Sequence, residues 1–268
     1  MKLDRLSAHQ AFTDQMADSL ITAYDMMSSD PRVRAIVLTS ADTTNKFFCA
    51  GMDFNAEHRQ NSGEKMYLDT GGQVSIAMQR CTKPIVVAIN GAAVGVGITM
   101  TLPANIRVAS KHAKCGFVFG RRGLCMEACS SFFLPRLVGT SRAMHLITTG
   151  AVYPASHKLL DGLFSEIVEP EQVVPTALKI ADDIAANVSI VSVKVMKDLI
   201  FHDPRSPEEA NLLESKIFHD MVRGKDAQEG VQSFLIKRQP EFKGTMEEDA
   251  PRMWPWWTSV DVKAEISI

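Results

Sequence analysis

The sequence predicts an α/β protein with parallel strands in its first half and a helical C-terminal third. Short β-branched runs alternate with helical patterns up to Ala109, and parallel neighbours need such crossover helices. Strand patterns largely stop beyond Ser130, where six helical patterns follow. The 268 residues, 46% of them hydrophobic, are enough to bury a large core.

The N-terminal elements follow from hydrophobic periodicity and turn residues. Apolar residues recur at helical spacing over 11–27, and a second helix is expected over 67–80. A third helix should start near Gly97 and stop around Pro103. Four apolar runs predict strands, at 33–39, 46–53, 85–89 and 106–109.

The C-terminal part is expected to be a set of helices followed by an aromatic tail. Most of the helical patterns have a polar or proline start. They cover 141–149, 155–161, 173–187, 191–201, 208–222 and 227–237. Trp254, Trp256 and Trp257 cluster near the end, which suggests a packing or subunit contact.

Composition and charge argue against several classes of function. The net charge is -2 with acids and bases interspersed, so no electrostatic footprint for nucleic acid is present. Five cysteines form no CxxC pair and accompany no secretory signal, which favours free thiols in a reducing compartment. Histidines make no HExxH pattern, so no metal site is expected, and no apolar run suits a membrane span.

Glu127 is the candidate catalytic side chain. It is a lone carboxylate among sulfur, alanine and aromatic residues over 125–134. If the segment is buried, desolvation raises the pKa of Glu127 and allows it to act as a base. The alternative is that Glu127 only caps a helix beginning near Ala128.

Two glycine turns are candidates for an anion hole made of backbone N–H groups. The strand that ends at Asn90-Gly91 runs into a glycine-rich turn, and the strand at 46–53 breaks at Gly51. Amides left free at such turns can bind a developing oxyanion, which is a large catalytic effect in carbonyl chemistry.

With these residues in view, the chain resembles the crotonase superfamily, the enoyl-CoA hydratases and isomerases, over nearly its whole length. The resemblance rests on several motifs that occur in the family's order. They are Phe-Phe-Cys-Ala-Gly-Met-Asp at 47–53, Asn-Gly-Ala-Ala-Val-Gly-Val-Gly at 90–97, Arg-Arg-Gly-Leu at 121–124, Leu-Pro-Arg-Leu-Val-Gly at 134–139 and Asp-Ala-Gln-Glu-Gly-Val at 226–231.

This resemblance implies a crotonase (ClpP-like) fold, a spiral of ββα turns followed by a helical trimerisation region. The spiral core with the acyl-CoA site would cover 1–139, the helical region 140–244 and a Trp-rich extension 245–268. A homotrimer or homohexamer is implied. The chain begins almost inside the family's first motif, so the first sheet edge is expected to be incomplete.

The resemblance also implies the ligand and its contacts. An acyl-CoA thioester would bind with its carbonyl oxygen between the N–H groups of Met52 and Val96. No cofactor is implied, since coenzyme A is part of the substrate. The acyl site would further include Ala50, Gly51, Asp53, Phe54, Gly95 and Phe119. Lys46, Lys237 and Lys243 are candidates for phosphate contacts, and His58 for the acyl pocket.

The departures from the family bear on the reaction. The two glutamates of the hydratases fall at Thr99 and Phe119, and neither residue is acidic. Residues 126–131 are instead similar to the segment that carries the single catalytic glutamate of peroxisomal Δ3,Δ2-enoyl-CoA isomerases. The favoured expectation is therefore an isomerase that shifts a 3-enoyl-CoA double bond to the 2-position.

Two other functions remain open. One is hydration of a 2-enoyl-CoA, as in similar fungal enzymes of secondary-metabolite and siderophore pathways. The other is a catalytically silent acyl-CoA-binding or assembly subunit. The resemblance implies an intracellular protein, peroxisomal or cytoplasmic, although residues 265–268 are not a Ser-Lys-Leu type of peroxisomal signal.

Overall fold

Two β-sheets surrounded by helices make up the computed structural model, which describes residues 1–56, 68–202 and 204–262. The strands, in chain order, are β1 (Lys2–Leu3), β2 (Ile36–Ser40), β3 (Phe47–Cys49), β4 (Ile85–Ile89), β5 (Ala92–Val94), β6 (Ile106–Ser110), β7 (Lys114–Gly116), β8 (Val152–Pro154) and β9 (Glu166–Val168). The α-helices are α1 (Asp14–Ser29), α2 (Thr70–Arg80), α3 (Val96–Thr99), α4 (Ser130–Val138), α5 (Thr140–Thr149), α6 (Val173–Asn187), α7 (Ile190–Phe201), α8 (Pro207–Met221), α9 (Lys225–Leu235) and α10 (Met246–Asp249).

The chain adds one strand to each sheet as it winds. The larger sheet is parallel throughout and has the order β1-β2-β4-β6-β9. The smaller sheet has the order β3-β5-β7-β8, and β8 pairs with β7 in the antiparallel direction. Because β3, β5 and β7 directly follow β2, β4 and β6, each pair is one turn of a spiral. The predicted α/β class with parallel strands is confirmed.

Strand β4 lies at the centre and is buried along its whole length, with alternate residues in different cores. Ile85, Val87 and Ile89 belong to the main core. Val86 and Ala88 point to the other face, where they join a second cluster with residues of α6. This two-residue alternation explains why the 85–89 run is continuously apolar, as expected for a parallel strand covered on both faces.

The structure corrects two predicted helices. The segment 155–161 directly follows strand β8 and is not an α-helix. It contains only a single 3-10 turn, Lys158–Leu160. The helix expected to run from Gly97 to Pro103 covers Val96–Thr99. Strands β8 and β9 have three residues each, too few for a two-residue period to be recognised.

The first sheet edge consists of the two-residue strand β1, which pairs with β2 through Lys2 and Leu3. The amino group of Met1 extends the pairing by donating to the carbonyl oxygen of Val37 at 2.8 Å.

The tryptophan tail packs within the chain. Trp254 and Trp256 lie against a cluster formed by residues of α7, α8 and α10. The Trp254 indole N–H donates to Asp198 Oδ2 at 2.7 Å, and the Trp256 indole N–H donates to the His202 carbonyl at 3.3 Å. These bonds attach the tail to the C-terminal end of α7.

Helices α8 and α9 expose several large apolar side chains to solvent. They are Leu212, Phe218, Val231, Phe234 and Leu235. The homotrimer or homohexamer implied by the resemblance stays a prediction.

Arg107 on β6 joins the chain after α3 to the segment before β9. Its guanidinium is buried and donates to the carbonyl oxygens of Leu102 at 3.0 Å, Ala104 at 2.8 Å and Leu163 at 2.7 Å. Burial lowers the pKa of Arg107 to about 10, so the group still carries its charge at neutral pH. One side chain therefore satisfies carbonyls that neither sheet reaches.

Replacing Arg107 should destabilise the fold strongly. In Arg107→Met these buried carbonyls lose their donors, and we expect the free energy of unfolding to fall by on the order of 3 kcal/mol. Lys111→Met is the matched control, because Lys111 directly follows the same strand, and its solvent-accessible ion pair with Glu169 should contribute less than about 1 kcal/mol. Urea unfolding of both variants measures the difference, and equal losses would contradict this role for Arg107.

Candidate active site

The Glu127 carboxylate is held by a backbone turn and by a hydroxyl of α3. The two residues after it, Ala128 and Cys129, both adopt left-handed conformations with φ of 55°. Such conformations cost roughly 1–2 kcal/mol for a residue with a Cβ. The turn brings the side chain inward, where Glu127 Oε1 accepts a hydrogen bond from Thr99 Oγ1 at 2.6 Å.

Helix α4 begins after Glu127 rather than at it. Cys129 is its N-cap residue, and no side chain caps the first turn. The Glu127 main-chain carbonyl, not its carboxylate, accepts from Ser130 Oγ at 2.6 Å. The alternative that Glu127 serves only as a helix cap is therefore wrong.

The N-terminal turn of α2 lies against the carboxylate. A Cβ on Gly71 would overlap Glu127 Oε2 and would lie 3.0 Å from Val96 Cγ2, so these two atoms border the same small space. Asp69 is the N-cap residue of α2, and its Oδ1 accepts from the N–H groups of Gly72 at 2.5 Å and Ala128 at 3.3 Å. A second carboxylate thus fixes the turn that carries Glu127.

The pKa of Glu127 is raised to about 7, chiefly because burial disfavours the charged form. The hydrogen bond from Thr99 acts in the opposite direction, and the neighbouring Asp69 carboxylate raises the pKa further. Glu127 Oε2 is buried and has no hydrogen-bond donor within the described part of the chain. A carboxyl with this pKa can both accept and release a proton near neutral pH, and its catalytic role stays a prediction.

The amides of Met52 and Val96 lie at the ends of neighbouring parallel strands, β3 and β5. Hydrogen bonds nearby use adjacent groups: Asp53 N–H donates to the Phe12 carbonyl at 2.9 Å, and Gly95 N–H donates to the Gly116 carbonyl at 2.9 Å. Within residues 1–56 and 68–202, no hydrogen bond is found from the N–H group of Met52 or of Val96. Their role as an anion hole stays a prediction.

Close backbone contacts bring these two turns together. A Cβ on Gly97 would overlap the carbonyl oxygen of Cys49, so only glycine allows α3 to begin so close to the end of β3. Gly51, with φ of 104°, lies under the Val94 carbonyl, 3.0 Å from where a Cβ would stand. Val96 and Thr99 are separated by one helical turn, so the short helix α3 links one amide donor to Glu127.

The other residues expected to line the acyl site differ in burial and in the contacts they make. Gly95, with φ of 57°, precedes α3 and is part of the turn. Ala50 is exposed, Asp53 pairs with Arg5 at 3.0 Å, and Phe54 is 68% exposed. Phe119 packs partly buried against the main core at the start of a 3-10 turn.

The proposed phosphate contacts are surface residues. Lys46, Lys237 and Lys243 are exposed, and Lys243 Nζ lies 3.7 Å from Glu241 Oε2. His58 lies outside the described residues.

Sequence reasoning missed Asp69 and Gly71. An Asp before Thr70-Gly71-Gly72 is a recognisable helix N-cap, so the start of α2 was open to prediction. Its contact with the Glu127 turn joins residues far apart in the chain, and no local pattern reports such a contact.

Neither a metal-binding cluster nor a membrane-spanning helix occurs among the described residues. In the described ranges, no group of three or more His, Cys, Asp or Glu side chains is arranged to hold a metal ion. Among the same residues, no helix is both long enough and apolar enough to cross a bilayer.

Glu127→Gln should change the pH dependence of stability. The unfolded chain releases the Glu127 proton near 4.5 and the folded chain near 7, so wild-type stability falls as pH rises through this window. Glutamine does not titrate. We expect the variant to gain up to about 3 kcal/mol relative to wild type between pH 5 and pH 8.

Glu229→Gln is the control, measured by the same denaturant unfolding at each pH. Its hydrogen bond with Arg238 lowers the pKa of Glu229 to about 2, so its stabilisation is complete above 4.5 and is lost only in acid. Its difference from wild type should stay constant from pH 5 to pH 8. A constant difference for Glu127→Gln as well would contradict the raised pKa of Glu127.

Comparisons with known proteins find relatives that align over most of the chain. The family model described as enoyl-CoA hydratase/isomerase matches residues 1–245. The chain is 46% identical over 250 residues to enoyl-CoA hydratase AFT3-1 of Alternaria alternata, an alignment that covers 92% of this chain and 83% of that protein. It is 28% identical to the 1,2-epoxyphenylacetyl-CoA isomerase of Escherichia coli, with 91% of this chain and 94% of that protein covered.

A solved structure supports the same assignment. The crystal structure of an enoyl-CoA hydratase from Bacillus anthracis superimposes with a TM-score of 0.79 at 26% identity and covers 91% of this chain and 94% of that one. The match to the family model, over residues 1–245, includes the turns that carry Met52, Val96 and Glu127. The chain therefore belongs to the enoyl-CoA hydratase/isomerase family.

Proposed function

We propose that this protein hydrates a 2-enoyl-CoA thioester, with Glu127 as the acid–base group and the Met52 and Val96 amides as the oxyanion hole. The observation that carries this proposal is the buried Glu127 carboxyl, whose pKa is raised to about 7 and which Thr99 ties to the helix that begins at Val96. An acid–base group and an anion-binding amide are thus joined through one helical turn.

The two amides would polarise the thioester. As a nucleophile approaches C3, negative charge moves to the thioester oxygen, where two N–H donors stabilise it more in the transition state than in the ground state. Each donor of this kind lowers the barrier by roughly 3 kcal/mol in other acyl-transfer enzymes. Side-chain identity at 52 and 96 matters little because the donors belong to the main chain.

Glu127 would handle the proton in both directions. Ionised Glu127 takes a proton from water as the water oxygen bonds to C3, and the C2=C3 electron pair moves toward the thioester to form an enolate. Protonated Glu127 then returns the proton to C2 as the enolate collapses, so that H and OH have been added across the double bond. A pKa near working pH suits a group that performs both steps.

Two observations favour hydration over isomerisation. The Alternaria relatives at 45–46% identity are named enoyl-CoA hydratases. Asp69 places a second carboxylate beside Glu127, although neither Thr99 nor Phe119 supplies one. Asp69 is the natural candidate to orient the attacking water while Glu127 removes its proton.

Isomerisation of a 3-enoyl-CoA is the second candidate. It is favoured by the likeness of residues 126–131 to the isomerase segment and by Glu127 Oε2, which is buried and has no donor among the described residues. In this reaction Glu127 would move a proton from C2 to C4 of one acyl chain, and one carboxylate suffices.

Product mass separates the two reactions. Incubated with 2-enoyl-CoA and 3-enoyl-CoA esters, the wild-type protein should convert the 2-enoyl esters to products heavier by one water. Glu127→Gln should lower kcat by about 10²–10⁴-fold while acyl-CoA binding changes little. Asp69→Asn should reduce hydration more than binding. The measurements are mass spectrometry of the esters and calorimetric binding of a saturated acyl-CoA.

Each outcome has a defined meaning. Conversion of 3-enoyl esters at unchanged mass, without hydration, would replace the first candidate by the second. Near wild-type turnover by Glu127→Gln would remove Glu127 from both mechanisms. Tight acyl-CoA binding with no turnover of either ester would contradict an enzymatic role.

A further inference from the structure

A cavity of about 580 Å³ lies between α2, α4, the C-terminal end of α7 and the tryptophan tail. Its apolar wall includes Phe132, Phe133, Trp254 and Trp257. Cys129, two residues after Glu127, also lines it, whereas Glu127 itself does not. The size of the cavity suits part of a small organic ligand.

The α2 wall of the cavity carries polar atoms that have no partner among the residues the structure describes. The Ser75 side chain is fully buried, and its hydroxyl makes no hydrogen bond within the described residues. Both Gln79 amide atoms, Oε1 and Nε2, are also buried without partners there. Leaving a buried amide unpaired is unfavourable, by about 1–3 kcal/mol per group, so such groups call for an explanation.

These atoms continue a line that begins at Glu127. Gly71, which touches Glu127 Oε2, lies one helical turn before Ser75 and two turns before Gln79 on the same face of α2. With a rise of 1.5 Å per residue, Gln79 lies about 12 Å along the helix from Gly71. An acyl chain whose reactive end is at Glu127 would follow this face toward Gln79.

Three side chains that are charged at neutral pH line the cavity: Lys194 and Asp198 pair with each other, and Arg80 is exposed to solvent. Lys194 Nζ lies 2.7 Å from Asp198 Oδ1, and both side chains are almost completely buried. Asp198 Oδ2 accepts from the Trp254 indole, and Lys194 Nζ also donates to the Gln79 main-chain carbonyl at 3.3 Å. Burial lowers the pKa of His202, which favours its neutral form. Because Lys194 and Asp198 neutralise each other, the groups that the buried wall offers within the described residues are the hydroxyl of Ser75 and the amide of Gln79.

We propose that this cavity receives the distal part of the acyl chain and that this part carries an uncharged hydrogen-bonding group, such as a hydroxyl, which Gln79 and Ser75 bind. The inference rests on the proposed function, since it takes the acyl chain to start at Glu127. A plain hydrocarbon chain would leave the amide and the hydroxyl unpaired inside the complex. A hydroxylated chain forms hydrogen bonds with both groups. The site should therefore bind a hydroxylated acyl chain more tightly than a plain one.

The test compares two 2-enoyl-CoA esters of equal chain length, one plain and one with a hydroxyl near the far end of the chain. Wild type should prefer the hydroxylated ester by at least about tenfold in kcat/KM and in the dissociation constant. Gln79→Leu should abolish or reverse this preference and should raise Tm, because the unpaired buried amide is gone. Gln73→Leu is the matched control on the same helix, since Gln73 is bonded to the Leu68 carbonyl and does not line the cavity. It should keep the wild-type preference.

The outcomes distinguish this inference from the proposed function. Equal affinity of wild type for both esters, or an unchanged preference in Gln79→Leu, would overturn it. A short 2-enoyl-CoA whose chain ends before Gln79 reports on hydration alone. If no ester is converted, the dissociation constants still decide the inference, and only the proposed function fails.

Discussion

The hydrogen bond between Thr99 and the Glu127 carboxylate is the interaction on which the rest of the site depends. It joins the turn before α4 to α3, whose first amide is a candidate anion donor. Gly97 and Gly71 permit the approach, because a side chain at either position would overlap Cys49 or Glu127. The spiral supplies the frame: β3 and β5 are neighbouring parallel strands, so their carboxyl ends reach the same edge.

Unfavourable features of the structure gather around this frame. Ala128 and Cys129 adopt left-handed conformations, Glu127 is buried with an oxygen that has no donor, and Ser75 and Gln79 are unpaired within the described residues. Strain and desolvation of this kind persist where the surrounding structure enforces them, and they cluster at functional sites. Arg107 shows the contrast away from the site, since every carbonyl it meets gains a donor.

Much of the fold could be predicted from the sequence, since it depended on long periodic segments. The helices at 173–187 and 208–222 and the buried strand at 85–89 have patterns that local chemistry fixes. Strands β8 and β9 were missed because three residues carry no readable period, and they are specified by pairing with β7 and β6. The helix predicted at 155–161 was wrong because this segment contains only the short 3-10 turn Lys158–Leu160.

The site was predictable in part. The sequence identified Glu127 as a base on the condition that its apolar segment is buried, which the structure meets. The glycine turns indicated free amides, and the family resemblance assigned them to Met52 and Val96. From the sequence, Asp69 is recognisable only as the N-cap of α2. Its other hydrogen bond, which it accepts from the Ala128 N–H, joins α2 to a turn far away in the sequence. The cavity along Ser75 and Gln79 was equally hidden, since it forms only when the tryptophan tail packs against α7.

A crystal structure with a bound, unreactive acyl-CoA thioester tests the central claim most directly. The account predicts that the thioester oxygen lies within hydrogen-bonding distance of the Met52 and Val96 amides, with the reacting carbons beside the Glu127 carboxylate. A thioester oxygen turned away from both amides, or an acyl chain that leaves Glu127 without contact, would contradict it.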